Sequence, residues 1–160
     1  MPMKNGYLLM TQVPKARAVR EQSFGFLVQS IARGVDAKLK AELSEVGIDV
    51  KIFANLMLLW EEDGISQRAL AQKLNNPEYF TSRNIDALVA AGFAVRESDP
   101  TSRRTYLIHL TDAGRAKAKL LPKIIKRVND EALADLDAAE KAQLVPLLQK
   151  VAGVGPFRKP

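Results

Sequence analysis

The chain has 160 residues, 47% of them hydrophobic, which suits one folded domain, alone or with an attached helical extension, and excludes a disordered chain. It contains no cysteine and a single histidine, His109, which excludes disulfides, zinc–thiolate sites, cysteine nucleophiles and multi-histidine metal sites. The net charge of +6 favours a negatively charged partner such as nucleic acid.

The sequence gives no sign of a membrane segment or a secretion signal. Its longest apolar stretch, Ile52 to Trp60, is far shorter than the ~20 residues that cross a bilayer. We therefore expect a cytoplasmic protein with no membrane partner. Because there is no Gly-rich phosphate loop, nucleophile elbow or metal-spaced cluster, we also expect no metal, no cofactor and no enzymatic activity.

The first periodic segment follows an N-terminal stretch, residues 1–22, that we expect to be partly ordered. From Ser23 onward, apolar residues recur at three- and four-residue steps, which predicts a helix that ends at Gly47. Asp49 is the predicted cap of a second helix, which extends to Trp60 and is apolar on most sides. Such a helix has to be covered on several flanks, so we expect it to lie centrally.

A helix-turn-helix is predicted next. Ser66 caps a helix that ends at Leu74, and a second helix runs to Ala91 and stops at Gly92. For this second helix we expect Asn76 to be the cap and Pro77 the first helical residue.

The hydrophobic period then changes from about 3.6 to two, which is typical of β-strands. The two extended segments are residues 93–97 and 105–110, joined by the basic linker 98–104. A hairpin directly after a helix-turn-helix is a wing.

Two further helices are predicted after the wing. Thr111 caps a helix that continues to about Leu133 with a bend at Pro122. Asp137 then begins a capping box for the last helix, where Pro146 predicts a bend or an early end.

The predicted fold is mainly α with a small β-hairpin, a winged helix-turn-helix flanked by N- and C-terminal helices. The predicted divisions are 1–22 for the N-terminal segment, 23–48 and 115–152 for the flanking helical region, 49–114 for the winged domain and 153–160 for a flexible tail.

The second helix of a helix-turn-helix enters the major groove of DNA, and residues near its N-terminus reach the bases. Arg83 is suited to a bidentate contact with guanine, Ser82 to phosphate or base, and Phe80 to a thymine methyl group. For Tyr79 and Phe80 a place in the core is an equally good interpretation, and for Arg83 the alternative is a solvated face of the helix. The candidate base-reading residues are Asn76, Tyr79, Phe80, Ser82 and Arg83.

Two other places offer contacts to the DNA backbone or grooves. Ser66, Gln67 and Arg68 lie at a predicted helix N-terminus, which attracts phosphate, although capping alone also accounts for Ser66. In the wing, Arg103 paired with Asp99 would shape the loop.

Arg104 would then be free to enter the minor groove. The alternative is that Arg103 and Arg104 are two solvated charges.

The motifs in this order resemble the MarR family of bacterial transcription regulators. The stretches that carry the resemblance are SQRALAQKL at 66–74, TSRNIDALVAAGFAVR at 81–96 and DPTSRRTYLIHLTDAG at 99–114. The family pattern has an S/T-x-x-x-L-A helix, a recognition helix ending in leucine and glycine, and a D-P-x-D-R-R wing leading to L-T-x-x-G. Ser102 stands where the family usually has aspartate.

The resemblance implies a homodimer that binds a pseudo-palindromic site on double-stranded DNA. Helices from Phe24 to Leu43 and from Leu121 to Val151 would form the dimerisation region. It also implies a repressor that releases DNA when a small aromatic or anionic ligand binds. By this resemblance, a ligand cleft would be lined by Phe24, Phe53, Met57 and Trp60, with Arg17 or Arg20 anchoring a carboxylate; core aromatics and solvated arginines are the alternative.

A winged-helix module that binds protein and lacks specific DNA recognition is the competing hypothesis. Residues 66–104 hold six basic and four acidic residues, a net charge of only +2, which mildly favours it. Arg83, Arg103 and Arg104 favour the DNA-binding regulator.

Overall fold

A computed structural model describes residues 15–158, apart from the side chain of Arg103. The chain divides into two compact units between Ala37 and Lys38. Within the described residues, the first unit holds a helical stretch, 15–21 (α1), and the beginning of α2 (Phe24–Glu45). The predicted boundaries at 22/23, 48/49, 114/115 and 152/153 stay predictions.

The second unit contains the end of α2 and the rest of the described chain. Its order of helices and strands confirms the predicted class, mainly α with a small β wing. The elements are α3 (Val50–Glu61), β1 (Ile65–Ser66), α4 (Gln67–Lys73), α5 (Glu78–Ala90), β2 (Ala94–Asp99), β3 (Ser102–Leu110), α6 (Asp112–Ala118), α7 (Leu121–Ala132), α8 (Ala138–Ala152) and a 3-10 turn (Gly155–Phe157).

Helix α3 lies at the centre of this unit, as its apolar sequence predicts. It contacts α5, α6 and β3. Ile52, Leu56 and Leu59 on α3 are buried and meet Ile85 and Leu88 of α5 in the core. Each fully buried leucine or isoleucine stabilises the fold by about 1.5–3 kcal/mol, so this central helix holds α5, α6 and β3 in place.

Four predicted helix caps are confirmed. The side chains of Asp49, Ser66 and Thr111 accept backbone N–H bonds from the first turns of α3, α4 and α6 at 2.9, 3.2 and 3.0 Å. Asp137 and Glu140 form the predicted capping box of α8. These caps satisfy N–H groups that a helix leaves without partners, which is why the helices begin at these residues.

The prolines behave differently from the prediction. Pro77 is itself the cap of α5, one position later than expected, and Asn76 makes no capping bond. Pro122 does not bend one long helix. It lies in the first turn of a separate helix, α7, where the missing N–H removes no helical bond. Pro146 does not end α8, which continues to Ala152, and the alternative of a bend there stays a prediction.

The wing belongs to a three-stranded antiparallel sheet in the order β1-β3-β2, so the predicted two-stranded hairpin lacked one strand. Ile65 and Ser66 of β1 pair with Ile108 and Leu107. The hairpin strands are also longer than predicted, with only Pro100 and Thr101 between them. Residues 103 and 104 therefore belong to β3 and not to the predicted loop.

Among the described helices, none is both long enough and apolar enough to span a bilayer.

Candidate DNA-binding surface

The turn between α4 and α5 positions the second helix. Asn75 follows α4 with a φ of +50°, a left-handed conformation that asparagine tolerates better than most residues. Its N–H donates to the Gln72 carbonyl, and the N–H of Asn76 donates to the Ala71 carbonyl at 2.9 Å. This is the Schellman pattern of helix termination. It ends α4, and α5 begins at Glu78, three residues after Asn75.

Helix α5 has one buried face and one outward face. Thr81, Asn84, Ile85 and Leu88 are buried. The predicted base-reading residues Tyr79, Phe80 and Arg83 are all exposed, Tyr79 by 70% and Phe80 by 42%. Because Arg83 follows Phe80 by three positions and Tyr79 by four, the three share one side of the helix. Ser82 and Asn76 are half-buried.

The N-terminus of α4 supplies a second polar group. The Ser66 hydroxyl accepts the N–H of Ala69, so its oxygen is engaged in capping. Gln67 is half-buried and Arg68 is exposed, with its Nε 3.9 Å from a Glu78 carboxylate oxygen at the start of α5. This long, exposed contact adds little stability and leaves Arg68 able to reach an anion.

The tip of the wing is shaped by hydroxyl groups. The carboxylate of Asp99 accepts bonds from the N–H and the hydroxyl of Thr101 at 2.8 and 2.7 Å. These bonds lower the pKa of Asp99 below its usual value. The pairing of β2 with β3 is irregular after Ser98, and the Ser102 hydroxyl lies 2.8 Å from that of Thr105.

Arg104 is exposed on β3. The side chain of Arg103 lies outside the described residues, so its predicted pairing with Asp99 stays a prediction.

Asp63 ties the base of the wing to the helices, a role that the sequence analysis missed. One carboxylate oxygen accepts the Leu110 backbone N–H at 2.8 Å, and the other accepts the Arg115 guanidinium at 2.5 Å. Burial alone would raise the pKa of Asp63, but the bonds from Leu110 and Arg115 outweigh it and lower that pKa. Asp63 thus joins the loop after α3 to the end of β3 and to α6.

Gly64 permits the His109 ring to approach the loop after α3 closely. It has a φ of +73° and a Cβ there would lie 2.6 Å from Cε1 of His109. The His109 ring is half-buried between two carboxylates, with Nδ1 3.8 Å from Asp63 and Nε2 3.8 Å from Glu97. The histidine therefore packs against the wing base, where Gly64, Asp63 and Glu97 surround its ring.

An ion pair joins the wing to α5 itself. Nη2 of Arg96 on β2 lies 2.5 Å from a carboxylate oxygen of Asp86 on α5. Arg96 was noted in the sequence only as part of a motif. Its structural partner lies ten residues earlier, a separation at which periodicity carries no information.

Two of the predicted ligand residues, Phe53 and Met57, line one open groove along α3 with a volume of about 730 Å³. Charged side chains stand around it, including Lys73, which is paired with Glu62 at 2.7 Å. Trp60 is 39% exposed and does not line this groove. Among residues 15–158, the groove is lined by Phe53, Ala54, Met57, Leu58, Glu61, Glu62, Lys73, Leu74 and Arg158.

The other predicted ligand residues belong to the first unit. Arg17 forms an exposed ion pair with Glu21 at 2.8 Å, and the Arg20 guanidinium lies 5.2 Å from the centre of the Phe26 ring. Phe24 is 60% exposed. In residues 15–158, no group of three or more His, Cys, Asp or Glu side chains is arranged to hold a metal ion.

Comparison with known proteins agrees with this geometry. A family model described as MarR family matches residues 52–106. An uncharacterised HTH-type transcriptional regulator of Bacillus subtilis, YkoM, is 33% identical over 111 residues, 69% of this chain and 71% of that protein.

Two solved structures extend the likeness to the fold. The reduced form of MarR from E. coli has a TM-score of 0.75 and 27% identity over 81% of this chain and 96% of its own. The Mycobacterium tuberculosis MarR family protein Rv2887, solved in complex with salicylic acid, has a TM-score of 0.66 and 25% identity over the same shares.

Proposed function

The chain belongs to the MarR family of transcriptional regulators, and from that premise we propose that it is a homodimeric repressor that releases DNA on binding a small aromatic or anionic ligand. The observation that carries the proposal is the outward side of α5. It presents Tyr79, Phe80 and Arg83 to solvent, while ion pairs and hydrogen bonds hold the neighbouring wing in place.

On this surface each group has a distinct task. Arg83 reads guanine in the major groove, a contact worth about 1–3 kcal/mol of discrimination. Arg68 and the N-terminus of α4 bind phosphate, which positions the protein without reading sequence. Arg104 on the wing enters the minor groove, where arginine favours narrow A·T-rich geometry.

The proposal of a dimer rests on apolar side chains that remain exposed. In the first unit, Phe24 and Ile31 of α2 are each 60% exposed. In the second unit, Leu147 and Val151 of α8 are 60% and 66% exposed. Such stripes mark interaction surfaces, and a second copy is the partner that a two-fold DNA site requires. Two recognition helices then contact successive major grooves.

The proposed ligand site is the groove along α3. Phe53, Met57 and Leu58 offer an apolar wall for a planar ring, and Lys73 and Arg158 offer cations for a carboxylate. The relative Rv2887 was solved with salicylic acid, a small aromatic acid of this class. Because the groove lies on the helix that supports α5, a ligand there can change how α5 is held.

The experiment that tests DNA reading measures binding to the intergenic DNA upstream of the protein's own gene and to random DNA, at several salt concentrations. We expect a specific dissociation constant of roughly 10⁻⁸ M or lower and a steep dependence on salt. Arg83→Ala should lose preference at one base position, whereas Arg104→Ala should weaken binding to A·T-rich flanks. Lys123→Ala, an exposed cation on α7, is the charge-matched control and should bind like the wild type.

Micromolar binding without preference would instead favour a protein-interaction module. For the ligand, benzoate and salicylate should dissociate the wild-type DNA complex, and Phe53→Ala should need a higher concentration of either. An unchanged response in Phe53→Ala would remove the groove from the proposal.

A further inference from the structure

The interface between α3 and α5 contains a polar cluster inside an otherwise apolar core. Asn55 on α3 and Thr81 on α5 are completely buried, and Asn84 is 6% exposed. Their neighbours on the same two helices are buried and apolar: Ile52, Leu56, Leu59, Ile85 and Leu88.

The cluster is only partly satisfied. Nδ2 of Asn84 donates to Oδ1 of Asn55 at 3.2 Å. Nδ2 of Asn55 and Oγ1 of Thr81 have no hydrogen-bond partner within residues 15–158. Burying unpaired polar atoms opposes folding, so an apolar pair of similar shape would be at least as stable here.

An amide hydrogen bond can fix the position of one helix on another in a way that apolar contacts do not. Apolar contacts are non-directional, and packed helices can shift against each other while their apolar side chains repack. A buried amide hydrogen bond forms over a narrow range of distance and angle, and its loss leaves two buried polar groups without a partner. In other helical interfaces, a buried polar pair selects one register at the expense of stability.

We propose that Asn55 and Asn84 are the positioning pair for α5, holding it in one register on α3 and thereby setting base specificity. Asn84 directly follows Arg83, so any slide or rotation of α5 that breaks the amide bond also displaces the Arg83 side chain. The inference rests on the proposed reading of DNA by Arg83. It assigns the two asparagines to specificity and not to stability.

The test replaces both asparagines with leucine, the apolar residue closest to asparagine in branching. Two nitroxide labels report on the helices directly, because the chain has no cysteine and Lys51→Cys with Ala87→Cys adds labels only at exposed sites on α3 and α5. The labelled protein is diluted with unlabelled protein so that only distances within one copy are measured. DNA specificity and thermal unfolding are measured on the same variants.

For Asn55→Leu/Asn84→Leu we expect a melting temperature equal to or above that of the wild type and a broadened or double distance between the labels. The ratio of specific to random DNA binding should fall about tenfold or more, as loss of a bidentate base contact in each half-site requires. The control Ile85→Leu keeps the amide pair and should keep both the single distance and the ratio.

One unchanged distance together with an unchanged specificity ratio would overturn the proposal. So would a lower melting temperature with an unchanged distance, because the pair would then be merely structural. If the leucine variant does not fold, Asn55→Ala/Asn84→Ala is judged by the same two readouts. Should the wild type show no specific DNA binding, the proposed function fails, and the label distances still decide whether the pair positions α5.

Discussion

Helices α5 and α8 are of similar length, 13 and 15 residues, yet they differ in how they are stabilised. Helix α8 has a complete capping box at Asp137 and a left-handed glycine at Gly153, but none of its residues is buried. Helix α5 has no side-chain cap, and four of its residues are buried. Local signals thus define where α8 begins and ends, while contacts with α3 hold α5.

The difference indicates that the winged region, α3 to α6, buries its apolar sides within the chain, whereas the two terminal helices α2 and α8 leave most of theirs exposed. Helix α2 repeats the pattern of α8, since Leu43 is its only buried residue. Substitutions in the winged region should therefore change the free energy of unfolding. Substitutions on the apolar sides of the terminal helices should instead change assembly and, through it, DNA binding.

The largest effect is expected for Leu147→Glu on α8. A carboxylate in the apolar stripe opposes burial against a second copy, so light scattering should give the mass of one chain. Affinity for a two-fold DNA site should fall by about 10²–10⁴-fold, the advantage that two linked contacts provide.

The matched control for this dimer test is Ala142→Glu. It adds the same charge to an exposed position on the opposite side of α8 and should leave both measurements unchanged. A Leu147→Glu protein that stays dimeric would contradict the comparison between α5 and α8.

The next largest effect is expected for Gly114→Ala in α6. A Cβ at this position would lie 1.9 Å from the Phe93 carbonyl oxygen, and backbone on one side has to move. Overpacking of this kind lowers the free energy of unfolding by about 1–3 kcal/mol or more. Urea unfolding of Gly114→Ala and of the wild type measures this difference in the free energy of unfolding.

Gly34→Ala in α2 is the contrasting substitution. A Cβ there has nothing within 4 Å, so the better helix propensity of alanine should stabilise the helix by about 1 kcal/mol. If both glycine substitutions destabilise equally, the winged and terminal regions do not differ in the way we describe.

The parts of the fold that the sequence predicted well depend on neighbours in the chain. The caps at Asp49, Ser66 and Thr111 need only the next three residues, and the core side of α5 needs only its own period. Strand β1 was missed because it is two residues long and exists only through its pairing with Ile108 and Leu107. Its formation depends on a segment more than forty residues away.

The candidate site shows the same limit. The exposure of Arg83 follows from helical spacing, which left Tyr79 and Phe80 open between the core and the outward side. Arg103 and Arg104 were placed in a loop because a basic, polar stretch resembles one. The role of Asp63 was missed because its partners Leu110 and Arg115 are distant in sequence. Long-range hydrogen bonds leave no periodic signal, and these are the contacts that hold the wing.

An intermediate effect is expected for Asp63→Asn. The charged bond from Arg115 is lost, which lowers the free energy of unfolding near neutral pH by about 1–3 kcal/mol. The pKa of Asp63 is lower in the folded protein than its ordinary value of 3.8, so the stabilisation is fully present above that value. It is lost as the pH falls through the lower, folded-state pKa.

The wild type and Asp63→Asn should therefore differ by a constant amount above about pH 5 and converge in more acidic solution. Urea unfolding at several pH values makes the comparison. A difference that persists undiminished at the lowest pH would show that packing, and not the carboxylate charge, accounts for the role of Asp63.

The smallest effect on stability is expected for Arg96→Ala, because its ion pair with Asp86 is largely exposed on the carboxylate side. Exposed pairs contribute about 0–1 kcal/mol, and a double-mutant cycle with Asp86→Ala should return a coupling energy in that range. The pair nevertheless joins the wing to α5, the two elements proposed to contact DNA. Arg96→Ala should therefore weaken binding to specific DNA more than its small change in unfolding free energy accounts for.

Asp86→Ala should weaken DNA binding to the same extent, since loss of either side chain breaks the ion pair that joins the wing to α5. If only Arg96→Ala weakens binding, the arginine contacts DNA itself and the position of the wing does not depend on the Arg96–Asp86 ion pair.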